Sequence, residues 1–254
     1  DALRMNAIGT VNTANGYSAL YSNTTGSYNT ANGAGALYSN TTGNYNTANG
    51  NSALISNTTG QENTANGNDA LRLNTTGSSN TANGVGALYS NTTGAGNTAT
   101  GNDALYSNTT GSYNSANGEG ALRNNTTGSN NTANGMNALS FNTTGDNNTA
   151  IGYASNVGFA NLTNATSIGA FTQVDASNSM VLGSINGVNG ATATVNVGIG
   201  TTSPSQRLDI DGQIRIRGGA PGLGKVLTSN ANGVATWENG FNGQTLNDAY
   251  NYGG

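Results

Sequence analysis

The chain has 254 residues and a formal net charge of −4, with 39 Gly, 2 Pro, 34% hydrophobic and only 7% charged residues, a usage unlike that of ordinary globular domains. It contains no Cys and no His, which excludes disulfides, thiolate metal sites, cysteine nucleophiles and the commonest general base and zinc ligand. Arg72 and Arg123 are the only basic residues between Asn12 and Asn147, so no track for nucleic-acid phosphates runs there, and apolar runs such as Met180-Val181-Leu182 are too short to span a bilayer.

From the first residues to about Gly152 the chain repeats every 17 residues without insertion or deletion. The block NTANG, with small changes, starts at Asn12, Asn29, Asn46, Asn63, Asn80, Asn97, Asn114, Asn131 and Asn148. An Ala-Leu pair recurs in phase, giving the column Leu20, Leu37, Leu54, Leu71, Leu88, Leu105, Leu122 and Leu139. Asn-Thr-Thr-Gly follows each pair from 23 to 145, with Asn23, Asn40, Asn57, Asn74, Asn91, Asn108, Asn125 and Asn142 at its head. Gly-rich polar composition alone suggests disorder, but disordered low-complexity sequence drifts in spacing and this one does not. A fixed short period belongs to stacked coils in which each repeat touches its neighbours and equivalent residues form ladders. Asp1 already lies in phase, so the chain is expected to be a segment of a longer protein whose leader and anchor, if any, lie outside it.

Within N-T-A-N-G-x-x-A-L-x-x-N-T-T-G-x-x two extended stretches are expected, one centred on Thr-Ala and one from Leu to Thr-Thr, each closed by Gly with positive φ. No repeat carries the apolar spacing of a helix. The fold class expected is all-β: a parallel β-roll, or β-solenoid, of 17-residue coils over 1–152, altered coils and a cap over 153–200, and a β-hairpin-rich connector over 201–254. With strands ~4.8 Å apart, nine or ten coils make a rod on the order of 45 Å. The Asn side chains each donate and accept, and so can bond their equivalents above and below. One Leu and two Ala per coil look insufficient, since a buried Leu contributes roughly 1.5–3 kcal/mol against ~1.5 kcal/mol of ordering entropy per residue. Sister chains sharing a core by cyclic symmetry are the expected remedy.

The stretches NTAIGYAS (148–155) and NATSIGAFTQVDASNSMVLGS (164–184) resemble the head repeats of trimeric autotransporter adhesins and the related repeats of phage tail fibres. The resemblance implies a left-handed parallel β-roll, three chains packed into one trimer, and an extracellular place on a cell surface or virion, with a host or cell-surface glycan or protein as partner. Heads in that family usually have repeats shorter than 17 residues and less uniform. VGIGTTSPSQRLDIDGQIRIRGG (197–219) and GKVLTSNANGVATWENG (224–240) resemble segments near the distal part of tail fibres and large bacterial surface proteins. Alternating residues over 207–216 and 225–237 predict two hairpins.

No catalytic, cofactor-binding or metal-binding constellation is expected. The segment 219–225 has the spacing of a phosphate-binding loop, but Val226 replaces the hydroxyl residue and a strand follows in place of a helix. Asp209 and Asp211 lack a third carboxylate for calcium. Glu62, Asp69, Asp103 and Glu119 occupy variable repeat positions, as solvated turns rather than a paired acid and base. Two columns have binding chemistry. Tyr21, Tyr38, Tyr89 and Tyr106 share one with Ile55, Arg72, Arg123 and Ser140, either a stripe for sugar rings or Tyr packing on Tyr. The Thr-Thr columns, such as Thr24-Thr25 and Thr41-Thr42, offer hydroxyls of the kind an ice-binding surface uses. The Asn-Thr-Thr triplets are also formal glycosylation acceptors. The function expected is the non-catalytic shaft of an extracellular homotrimeric attachment fibre, without cofactor, nucleic-acid partner or membrane insertion by this segment.

Overall fold

The computed structural model describes residues 1–213, 225–229 and 235–239. The chain is an all-β parallel β-solenoid of about ten turns with ~17-residue coils. It divides into two compact units, Asp1–Val197 and Gly198–Gly254.

In the first unit each NTANG block supplies one three-residue strand. These are β1 (Thr13–Asn15), β2 (Thr30–Asn32), β3 (Thr47–Asn49), β4 (Thr64–Asn66), β5 (Thr81–Asn83), β6 (Thr98–Thr100), β7 (Ser115–Asn117), β8 (Thr132–Asn134) and β9 (Thr149–Ile151). Each pairs in parallel with the next at a register of one repeat, Ala31 opposite Ala48 and Ala48 opposite Ala65. β10 (Asn156–Val157) and β12 (Gln173–Val174) form a small parallel sheet of their own, while β11 (Thr166–Ile168) and β13 (Met180–Leu182) extend the main sheet to eleven strands. The strand's middle Ala points inward and is buried from β2 to β9, and its neighbours point out, as the period of two requires.

The second extended stretch is not a strand in the regular coils. Residues from the Ala-Leu pair to Thr-Thr form turns, and Leu20, Leu37 and Leu54 have φ of 50°, 52° and 51°. Left-handed backbone is incompatible with a pleated strand and costs a Leu about 1–2 kcal/mol. The turn nonetheless bonds from coil to coil, Leu20 N–H to the Ala36 carbonyl at 3.0 Å and Ser22 N–H to the Tyr38 carbonyl at 3.0 Å. The backbone's polar groups are thus satisfied without regular strand geometry. The left-handed bend at Leu aims its side chain into the centre of the coil. A true second strand begins only at β10, where Val157 and Val174 take over the core.

The Leu column needs no sister chain for burial. Leu20 to Leu139 are 0% exposed within the single chain, closed in by the two Ala columns and by two columns of buried Asn. The expectation of a core shared between chains overlooked those Asn, because composition counts them as polar whereas their hydrogen bonds make them core residues.

The two Gly columns serve different ends. Gly33 has φ of 142°, where a side chain is strained. The column of Gly26 and Gly43 lacks positive φ, contrary to expectation; a methyl on Gly43 would strike the carbonyl oxygen of Gly60 and the side chain of Asn40. Close approach of successive coils, not turn conformation, demands that glycine.

At the end of the first unit Ser155 and Ser167 are hydrogen-bonded in the interior, and Asn189 from the segment after β13 donates to the Ala154 carbonyl. In the second unit β14 (Val197–Ile199), which starts at the unit boundary, and β15 (Leu208–Ile210) share a two-stranded sheet. The arm expected at 214–216 to complete the first hairpin lies outside the described residues. β16 (Lys225–Ser229) and β17 (Ala235–Asn239) are antiparallel, with Leu227 opposite Trp237, as the second hairpin requires.

Candidate functional site

The interior is a pair of side-chain ladders. In the first, Asn40 Nδ2 donates to Asn23 Oδ1 at 2.8 Å and to the Gly43 carbonyl at 3.0 Å. Asn57, Asn74, Asn91, Asn108, Asn125 and Asn142 repeat the pattern one coil at a time. Both amide protons are used and the oxygen accepts from the next coil, so Asp, which cannot donate, and Ser, which has one proton, fail there. The second ladder uses the first residue of each block. Asn46 N–H and Nδ2 both reach Asn29 Oδ1, at 3.0 and 3.2 Å, and Nδ2 also donates to the Gly60 carbonyl at 2.9 Å. Every one of these Asn from 29 to 148 is buried. The Asn-Thr-Thr acceptors are therefore closed to glycosylation in the folded chain.

The Tyr column stacks upon itself. Tyr21 and Tyr38 lie 5.1 Å apart with planes 7° from parallel, and Tyr89 and Tyr106 lie 4.9 Å apart at 13°. Arg4 lies over Tyr21, Arg72 over Tyr89 and Arg123 over Tyr106, with guanidinium carbons 5.5, 5.7 and 5.8 Å from the ring centres. In the middle of the rod the order along the column is Arg72, Tyr89, Tyr106, Arg123, so the stacked ring pair has a guanidinium at each end, and Arg72 also donates to the Tyr89 hydroxyl at 3.3 Å. A third stacked pair, Tyr28 on Tyr45 at 4.9 Å, occupies the last position of the repeat; its spacing of 17 was legible in the sequence.

Asp69 and Asp103 are ion-paired, to Arg72 at 3.4 Å and to Arg123 at 3.3 Å. Such partly exposed pairs contribute at most about 1 kcal/mol. Asp209 accepts from the Ser205 N–H and hydroxyl at 2.8 and 3.1 Å, and Asp211 N–H donates to the Ile199 carbonyl. Among the described residues no group of three or more acidic side chains is placed to hold a metal ion. The loop 219–224 lies outside the described residues, and Lys225 opens β16.

The Thr-Thr columns are not equivalent to each other. Thr24 Oγ1 donates to the Thr41 carbonyl at 2.9 Å and Thr41 Oγ1 to Thr58 at 3.0 Å, whereas Thr25 and Thr42 are exposed. The paired hydroxyl lattice expected of them is thus reduced to a single outer row. The other outer surface is the sheet itself, which presents the Thr and Asn that flank each buried Ala. There the Asn side chains form a third ladder, Asn32 to Asn49 at 2.9 Å, Asn49 to Asn66 at 2.8 Å and Asn66 to Asn83 at 2.8 Å.

Comparison with protein-family models, with curated proteins and with solved structures finds no match. No helix among the described residues is long and apolar enough to cross a membrane. The regular coils present their chemistry on their outer surfaces. Three are available: the sheet, the Tyr and Arg column beside the Leu turn, and the outer Thr row.

Proposed function

We propose that the chain is the non-catalytic shaft of an extracellular homotrimeric fibre that serves attachment, as in a bacterial surface adhesin or a phage tail fibre. The observation that carries this reading is the ladder construction: coil after coil repeats the same buried Asn, Ala and Leu and so adds length. Growth in one direction with nearest-neighbour contacts is what a spacer requires. Among the described residues, Asp69 and Asp103 are paired with Arg, and Glu62 and Asp209 accept from Ser.

Assembly into trimers is supported by the distribution of exposed apolar side chains rather than by the Leu column. Met136, Phe141, Phe159, Met180, Leu182 and Ile185 stand between 40% and 62% exposed in the part of the chain where the regular repeat ends. Exposed apolar side chains recurring over one stretch of the chain suit contact with another protein surface. Sister chains joined there display the shaft at a distance, and a host or cell-surface glycan or protein is the partner of the whole fibre.

Light scattering on the purified chain should give about three times 25.3 kDa. A stable monomer at micromolar concentration would end the trimer reading while leaving the shaft reading intact. Glycosidase and esterase assays should show background turnover only; activity abolished by a single Asp or Glu substitution would end the non-catalytic one.

A further inference from the structure

The outer face of the sheet is a grid. From Thr13 to Thr149 one row holds Thr in every coil except Ser115, and from Asn15 to Asn134 the parallel row holds Asn in every coil except Thr100. All pairs are in register, one repeat per step. The grid therefore repeats at ~4.8 Å across the strands and ~6.7 Å along them, two residues of strand rise. Its side chains are held in advance. Thr is restricted at χ1, and the Asn amides are tied to one another from Asn32 to Asn83.

Neither row contains a charged residue, although these are solvent-facing strand positions and the neighbouring turns do carry Asp, Glu and Arg. Charged side chains organise water around themselves, and neither row of this face carries one in any coil. A complementary ligand must be neutral, must be periodic on the same scale, and must offer donors and acceptors everywhere without needing a pocket. Crystalline water meets all three conditions, because the oxygen grid on the prism faces of hexagonal ice is rectangular with repeats of this order. A rigid lattice also rewards a rigid surface, since little side-chain entropy remains to be lost on contact.

We propose that the outer Thr and Asn rows of β1–β8 form an ice-binding surface. Thr methyl and hydroxyl groups and the free edges of the Asn amides hold a sheet of water in the ice arrangement, and many weak contacts add along the rod. Rods adsorbed in this way pin an ice front, which must bulge between them and so freezes at a lower temperature. The grid stops at β9, where the Asn row passes to Ile151, Ile168 and Leu182. The surface differs from the Thr-Thr columns, whose inner hydroxyls are spent on the next coil.

The test is thermal hysteresis and inhibition of ice recrystallisation by the full chain, together with its partition into a slowly grown ice hemisphere. The wild type should shape ice crystals and enter the ice. The double substitution Thr64→Tyr with Thr98→Tyr, which raises two outward bulges, should reduce hysteresis at least fivefold with unchanged circular dichroism. Thr76→Tyr, on the outer row of the Thr-Thr columns, should leave it unchanged. Absence of hysteresis and of ice entry in the wild type overturns the proposal, as does equal loss from Thr76→Tyr. Absence of activity with a multimer that dissociates on Thr64→Tyr assigns this face to contact between copies of the chain, and likewise overturns it.

Discussion

Asn57 Nδ2 donates to Asn40 Oδ1 at 2.8 Å, one coil away, in an interior where both residues are completely buried. Repeated at every step, this bond turns a residue that normally favours turns into the register-setting element of the core. A slip by one residue would leave both amides unpaired, and a buried polar group without a partner costs about 1–3 kcal/mol.

Asn74→Asp should therefore destabilise the rod severely, since a carboxylate would face Asn57 Oδ1 and the Gly77 carbonyl, both acceptors. Burial and acceptor contacts hold its folded pKa above the unfolded value of about 3.9. Below that value the acid is protonated in both states and can donate, so the deficit is smallest there. It grows as pH rises toward the raised folded pKa. Thermal melts of Asn74→Asp and wild type at pH 3.5 and 7 measure the difference; an equal deficit at both would contradict the ladder.

Gly77→Ala tests the close approach of coils. Gly77 lacks positive φ, and an added methyl would meet the Gly94 carbonyl oxygen and the side chains of Asn74 and Asn91. A loss of about 1–3 kcal/mol is expected from forced separation, readable as a lower denaturation midpoint. Tolerance of the substitution would mean that the coils are further apart than described.

Leu88→Ala should cost about 2–5 kcal/mol by leaving a cavity. Because Leu88 is buried within its own chain, the loss should be the same at low and high protein concentration. A loss that depends on concentration would show that the column is completed by another chain.

Tyr89→Ala removes a ring lying between Tyr106 and Arg72. A loss of about 0.5–1.5 kcal/mol is expected beyond the area effect, with a weakened near-ultraviolet circular dichroism signal. Any saccharide binding that depends on this column should survive Tyr89→Phe only if the ring edge, rather than the hydroxyl, makes the contact.

The period of 17, the parallel stacking and the identity of the ladder columns were legible in residue order, since identical residues at constant spacing can meet their equivalents only when coils stack in register. The strand at Thr-Ala-Asn followed from alternation around a small inward residue. The Leu turn did not, because nothing in Leu itself favours φ near +50°; burial of its side chain at the centre of a narrow coil selects that conformation over its local preference. The second Gly column departs from expectation for a related reason. Sequence shows that glycine is required there, but only the distance between neighbouring coils distinguishes a need for space from a need for positive φ. Tertiary structure likewise decided that Asn belongs to the core and that the Tyr rings cover one another. It also placed an uncharged Thr and Asn grid on the sheet, because which side chains point inward depends on how the coil closes around its interior.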